Sequence, residues 1–231
     1  MSKPTSIIDK PDSIINGNSS LSFSPEVLRG LQGFISIVNN GVTLKEGYAI
    51  SSALFNQEVY AAEVEYVKSN PEIARLIEER YLTPNPDLDE LLKLPKDSLG
   101  FAYASHLTSE GYVQDFFPAI EIVDDASYYY MRVQQTHDIW HTVTGWFDDI
   151  GGVKLAAFQV AQTRSTSLTM VITAFIMNLI KTNKDLTPFI NFLKEGYDVG
   201  SQAKPFLAQK WEEAWDKPLA EWRAELNVNV S

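Results

Sequence analysis

Apolar residues recur along this chain at intervals of three and four and nowhere alternate over the length of a strand, so the pattern predicts helices throughout. A first helix starts at Ser24-Pro25-Glu26, where serine caps, proline takes the first helical position and an acid follows. Leu28, Leu31, Ile35 and Val38 carry it to Asn40-Gly41. A second helix follows from Thr43, and a third runs from Gln57 to Lys68. Asn70-Pro71-Glu72 stops one helix and starts the next, over 72–81, with Ile73, Leu76 and Ile77 on its inner face. A turn with two prolines at 83–87 leads to a short helix at 88–92. A helix from Asp97 ends near Gly111; Gly100 inside it costs about 1 kcal/mol relative to alanine and implies a close neighbour. Asp124-Asp125 then caps a helix that runs through His141.

Glycines within 145–152 predict a break that turns the chain back. Beyond it the pattern is helical from Val153 to about Thr182, bent near Arg164-Ser165-Thr166-Ser167, then over 186–201 and 205–226. Trp211, Trp215 and Trp222 make an aromatic stripe on the last of these, as core packing does. Residues 1–23, rich in Ser, Asn, Pro and Lys, read as a mobile arm before one domain over 24–231. Residues 168–180 are apolar on nearly every side but fall short of the roughly 18–20 that a bilayer span needs. They predict a core helix, one side of which could wall a channel for a long aliphatic ligand through Met170, Phe175, Met177 and Ile180. The expected fold is all-α: a single-domain helical bundle with an internal apolar cavity or tunnel.

Composition narrows the partners. Thirty acids against nineteen bases leave a formal charge of −11, which repels nucleic acid and anionic headgroups at long range, so no nucleic-acid partner is expected. Without cysteine there is no disulfide, thiol nucleophile or thiolate metal site. The first residues hold no apolar run of signal-peptide length, and a cytoplasmic location is the expectation. Phosphate-binding glycine loops and the Gly-x-Ser-x-Gly elbow are absent from the sequence.

The chemistry that remains gathers in His137-Asp138-Ile139-Trp140-His141. On a helix the two histidines lie one above the other, with Asp138 at the edge of their face, a spacing that suits a divalent ion with open positions. The same residues also read as a merely polar patch. His137-Asp138 is in addition the core dipeptide of His-Asp phosphohydrolases, for which His106 could supply the upstream histidine.

This motif, with Thr142-Val143-Thr144-Gly145 after it, resembles the His-Asp-x-x-His motif of the coenzyme Q (ubiquinone) biosynthesis family, the Coq-four-like proteins. Segments 69–80, 94–103, 157–163, 200–205 and 211–215 resemble that family in the same order, over about residues 60–228. The resemblance implies a divalent metal, Mg or Zn, at His137, Asp138 and His141, in a protein of ubiquinone assembly. The family's motif closes with a glutamate twelve residues after the second histidine, and here that position is Val153, which cannot ligate. The ion then keeps fewer protein ligands, or gains Asp148 or Asp149, or is absent. Three functions stay open: binding a polyprenyl lipid or prenylated quinone precursor with its head at the motif; metal-dependent oxidative decarboxylation of the precursor ring; and a scaffold with a relic site. Arg132, Lys154 and Arg164 are the cations that could meet a charged head. Peripheral membrane contact and a homodimer also stay open.

Overall fold

The computed structural model describes residues 24–54, 58–111 and 120–229. Among these the chain forms eleven α-helices and no strand; the one β-type pairing is an isolated antiparallel bridge between Ser98 and Pro218. The expected arm at 1–23 lies outside the described residues.

The punctuation read from the sequence sets the helix ends. The Ser24 side chain caps α1 (Pro25–Asn40), and α2 (Leu44–Leu54) follows. α3 (Glu58–Lys68) leads to Asn70, whose side-chain amide oxygen accepts from Glu72 and Ile73 N–H to start α4 (Pro71–Glu79). α5 (Leu88–Leu91) precedes α6 (Leu99–Glu110). The Gly100 cost is met as expected: a Cβ there would stand 2.7 Å from Leu94 Cδ1 and 3.0 Å from the Trp215 carbonyl, which accepts the Gly100 N–H. α7 (Asp125–Thr144) opens on a capping box between Asp124 and Ser127 and ends at left-handed Gly145.

Three expectations after α7 are corrected. The break spans only 145–148, because Asp148 accepts from the Gly151 N–H and starts α8 (Asp149–Thr163), so Gly151 and Gly152 lie inside a helix. Where one bent helix was expected, α8 and α9 (Thr166–Lys181) are separate: Arg164 is left-handed and Ser165 caps the second. After α10 (Thr187–Gln202) the chain makes two short 3-10 turns, Phe206–Ala208 and Trp211–Glu213, before α11 (Leu219–Glu225), and not one long helix. Pro218 lacks the N–H a helix interior needs, and the carbonyls of Trp215 and Lys217 are turned outward to cap α6 instead.

Two apolar clusters result. The larger joins α3, α4, α6, α7, α8 and the C-terminal turns, where Trp140, Phe158, Phe206, Trp211 and Trp222 pack in series with ring centroids 4.6–6.3 Å apart. Of the tryptophan stripe, Trp211 in a 3-10 turn and Trp222 in α11 are core, as expected, whereas Trp215 lies in the turn between them, half-buried and packed against the cluster. The smaller cluster centres on Ile37, Ile50 and Ala174 between α1, α2 and α9. α9 is therefore an edge helix with an apolar outer face, and no helix among the described residues is long and apolar enough to cross a membrane.

Glu63 ties three helices together: 5% exposed, it accepts from the Tyr129 hydroxyl at 2.6 Å and from the Thr166 N–H, at the start of α9, at 3.1 Å. Burial raises its carboxyl above the ordinary 4.5, against the pull of those hydrogen bonds. The folded chain thus prefers neutral Glu63, and that contribution to stability is complete below pH 4.5 and is lost as pH rises through the raised value. Glu63→Gln removes the dependence. The melting temperature of the variant minus that of the wild type should therefore climb as pH rises above 4.5. A flat difference would show that Glu63 titrates as it does in the unfolded chain.

Candidate functional site

α7 is gripped along its first half and opens to solvent only toward its end. Asp125 bridges Lys68 at 2.7 Å and Arg80 at 2.6 Å, and the Tyr128 hydroxyl donates to the Tyr81 carbonyl at 2.8 Å. Arg132, fully buried, donates to Glu212, Gln135 and the Gln209 carbonyl. In the last turns Thr136, Ile139, Trp140 and Val143 face the core. Helical spacing then turns His137, Asp138 and His141 to the open side, where both imidazoles are half-buried and Asp138 is exposed.

The two imidazoles stand 4.8 Å apart, edge to face. His141 Nδ1 hydrogen-bonds the backbone carbonyl of Trp146, five residues on. A carbonyl can only accept, so Nδ1 carries the proton and Nε2 keeps its lone pair for a ligand. Desolvation, with the neighbouring His141, holds His137 down at about 3, so it too is neutral at physiological pH. Desolvation also lowers His141, against the Trp146 carbonyl and Asp138, which raise it. Asp138 reaches solvent, yet the crowding of protein around it raises its carboxyl, opposed by His141 and His106. His106, from α6, closes the group by stacking on Phe147 with centroids 4.0 Å apart. All three histidines of the chain therefore meet on one patch.

Beside the patch lies an open cavity of about 500 Å3, lined by Trp146, Phe147, Asp148, Ile150, Lys154 and Phe192 among others. Lys154 pairs with Glu195 at 2.6 Å and stands 5.7 Å from the Trp146 ring and 5.9 Å from that of Phe192. The aromatic wall was missed in the sequence, where Trp146-Phe147 was read only as part of a break. Two consecutive aromatics directly after a histidine motif were the signal available.

The other expected ligand residues are scattered. Arg132 is a correction: its guanidinium is spent on Glu212 beneath α7, so it is a structural cation. Arg164 stacks on Tyr66 at 3.9 Å, at the edge of a second cavity of about 370 Å3. Met170 and Phe175 pack against the smaller cluster, whereas Met177 and Ile180 are 46% and 60% exposed on the outer face of α9. Only Lys154 joins the motif residues. Asp148 is committed to capping α8, and Asp149 is exposed in its first turn.

As donors, neutral His137, oriented His141 and accessible Asp138 fit a divalent ion with open positions. As the side chains stand, no three His, Asp or Glu groups among the described residues converge on one point.

A family model described as coenzyme Q (ubiquinone) biosynthesis protein Coq4 matches residues 52–231. Over 155 residues the chain is 26% identical to the mitochondrial ubiquinone biosynthesis protein COQ4 homolog of Aedes aegypti, covering 65% of this chain and 56% of that protein. Over 145 residues it is 28% identical to mitochondrial COQ4 of Kluyveromyces lactis, covering 62% and 43%. The chain thus spans about half the length of the curated relatives it matches. The crystal structure of a protein from Nostoc punctiforme PCC 73102, provisionally named as a ubiquinone biosynthesis protein, superposes with a TM-score of 0.76 at 30% identity, over 87% of this chain and 97% of that one.

Proposed function

The chain belongs to the coenzyme Q (ubiquinone) biosynthesis protein Coq4 family, and from that premise we propose that it binds a polyprenyl lipid, an isoprenoid phosphate or prenylated quinone precursor, with the polar head at His137, Asp138 and His141. The observation that supports this best is the His141–Trp146 bond: it presents a fixed nitrogen lone pair at the rim of an aromatic-walled cavity. Trp146, Phe147 and Phe192 offer apolar surface to the first isoprene units, each buried CH2 contributing roughly 0.8 kcal/mol, and Lys154 offers a positive charge to an anionic head. A divalent ion held by the motif would supply further positive charge to phosphate or ring oxygens. Leu28, Leu31 and Ile35, exposed along α1, give an apolar face by which such a protein could meet the bilayer that carries its lipid.

Catalysis at the head, as oxidative decarboxylation of a precursor ring, is the second reading. It is favoured by the pairing of a neutral His137 with a carboxyl raised at Asp138, the kind of perturbed pair that gathers at reactive sites.

Binding is tested by thermal shift and native mass spectrometry with a polyprenyl monophosphate. At about 100 times the dissociation constant the wild type should gain about 2.7 kcal/mol, or roughly 5–10 °C in melting temperature for a chain of this size. His141→Ala should lose most of that gain. No shift, together with no prenyl lipid retained on native extraction, would end the proposal.

A further inference from the structure

Arg223 has no place in the reading above, yet it is fastened to the end of the motif helix. It sits on α11 between two anchors: Trp222, buried against Trp211 with ring centroids 4.7 Å apart, and Leu226, also buried. Its own carbonyl accepts the Val228 N–H at 2.8 Å, so the backbone that carries it is held on both sides. From there Nε donates to the Val143 carbonyl at 2.7 Å, two residues after His141, as a cation at a helix C-terminus does. That bond uses one corner of the guanidinium. Among the described residues its two Nη groups have no hydrogen-bond partner, and Arg223 pairs with no carboxylate.

The unused N–H groups lie beside the cavity. A Cβ on Gly145 would come within 3.3 Å of Nη2, and Gly145 both lines the aromatic-walled cavity and donates its N–H to the His141 carbonyl at 2.8 Å. Other charge at the site does little for an anion: Asp138 is itself an acid, and Lys154 already shares its charge with Glu195 at 2.6 Å. A half-buried guanidinium stays cationic at any physiological pH, and its planar fork matches the oxygens of a phosphate or a carboxylate. We propose that Arg223 selects for the charge of the ligand's head: its two Nη groups take a phosphate monoester or a carboxylate in a bidentate contact, beside Gly145 at the rim of the cavity. This rests on the lipid reading above and adds to it that the head is an anion and which side chain distinguishes it from a neutral one. A prenyl alcohol or a neutral prenylated quinone is then a poor ligand.

The test measures Kd on the full chain for two matched pairs: a polyprenyl monophosphate against the polyprenol of the same length, and a prenylated benzoic acid against its methyl ester. Wild type should prefer the anion of at least one pair by about 10-fold or more, as a hydrogen bond to a charged group is worth. Preference within the first pair alone identifies the head as a phosphate, and within the second alone as a ring carboxylate. Arg223→Gln should bring that ratio close to one while leaving affinity for the neutral partner within about 2-fold, and Arg223→Lys, which keeps the charge without the fork, should keep part of it. Because either change also touches the end of α7, wild type gives a reading that needs no variant: phenylglyoxal should modify Arg223, by peptide mapping, and the preferred anion should protect it where its neutral partner does not. If Arg223→Gln weakens anion and neutral partner by the same factor, or if both protect alike, Arg223 only caps α7 and the inference is overturned. Wild type that binds anions and neutral partners equally also overturns it and leaves the lipid reading standing, whereas wild type that binds none of the four overturns the lipid reading and this inference with it.

Discussion

Gly196→Ala should lower stability by at least about 3 kcal/mol, at or beyond the upper end of ordinary overpacking, which is roughly 6–12 °C in melting temperature for a chain of this size. A Cβ at Gly196 would sit far inside contact distance of the Lys154 carbonyl, and one at Gly200 would stand 2.6 Å from the Phe158 carbonyl. Both obstacles are backbone, so no side chain can swing aside; α8 and α10 must part along the seam they share. The seam also sets the cavity, because Lys154 leads from it to Glu195 and to the Trp146 and Phe192 rings. The variant should therefore lose lipid-induced stabilisation along with stability. Gly47→Ala is the control: nothing lies within 4 Å of a Cβ there, and inside α2 the change should be neutral or stabilise by about 0.4–1 kcal/mol. If both glycine variants melt alike, the close approach of the two helices is not what holds this part of the fold.

Nothing in the sequence announced that seam, since a glycine in a helical run reads as a local cost until its neighbour is known. What was legible was local. Ser24-Pro25, Asn70-Pro71 and Asp124 each mark a helix start within a residue or two, because a cap acts on N–H groups in its own turn. Helical spacing alone was enough to put His137 and His141 on one face. What stayed hidden depended on partners distant in the chain. The run 205–226 carries helical spacing, yet its carbonyls at Trp215 and Lys217 are drawn to α6, more than 100 residues earlier. His106 and Lys154 needed the packing of α6 and α10 to show which group each meets, and Arg132 needed Glu212.

That last pair carries the second large effect. Glu212→Ala should cost about 3–5 kcal/mol, because it leaves the Arg132 guanidinium buried without its counter-charge. Arg132 is 0% exposed and its partner carboxylate 6%, with nitrogen–oxygen distances of 2.5 and 3.1 Å, so water cannot replace the lost oxygens without opening the core. The remaining acceptors, the Gln209 carbonyl and Gln135 Oε1, are neutral, and the Tyr81 ring, 5.3 Å from the guanidinium, offers only a weak cation–π contact. Removing both charges differs from removing one: Arg132→Met with Glu212→Leu fills similar volume and leaves nothing stranded, so the double variant should recover most of the loss. A double-mutant cycle by urea unfolding reads this directly. Its consequence reaches the site, since Arg132 anchors α7 to the C-terminal turn one helical turn before His137. If the single variant melts within about 1 kcal/mol of wild type, the pair behaves as a surface salt bridge, and α7 owes its position to its capping box, the Asp125 bridges and Trp140 instead.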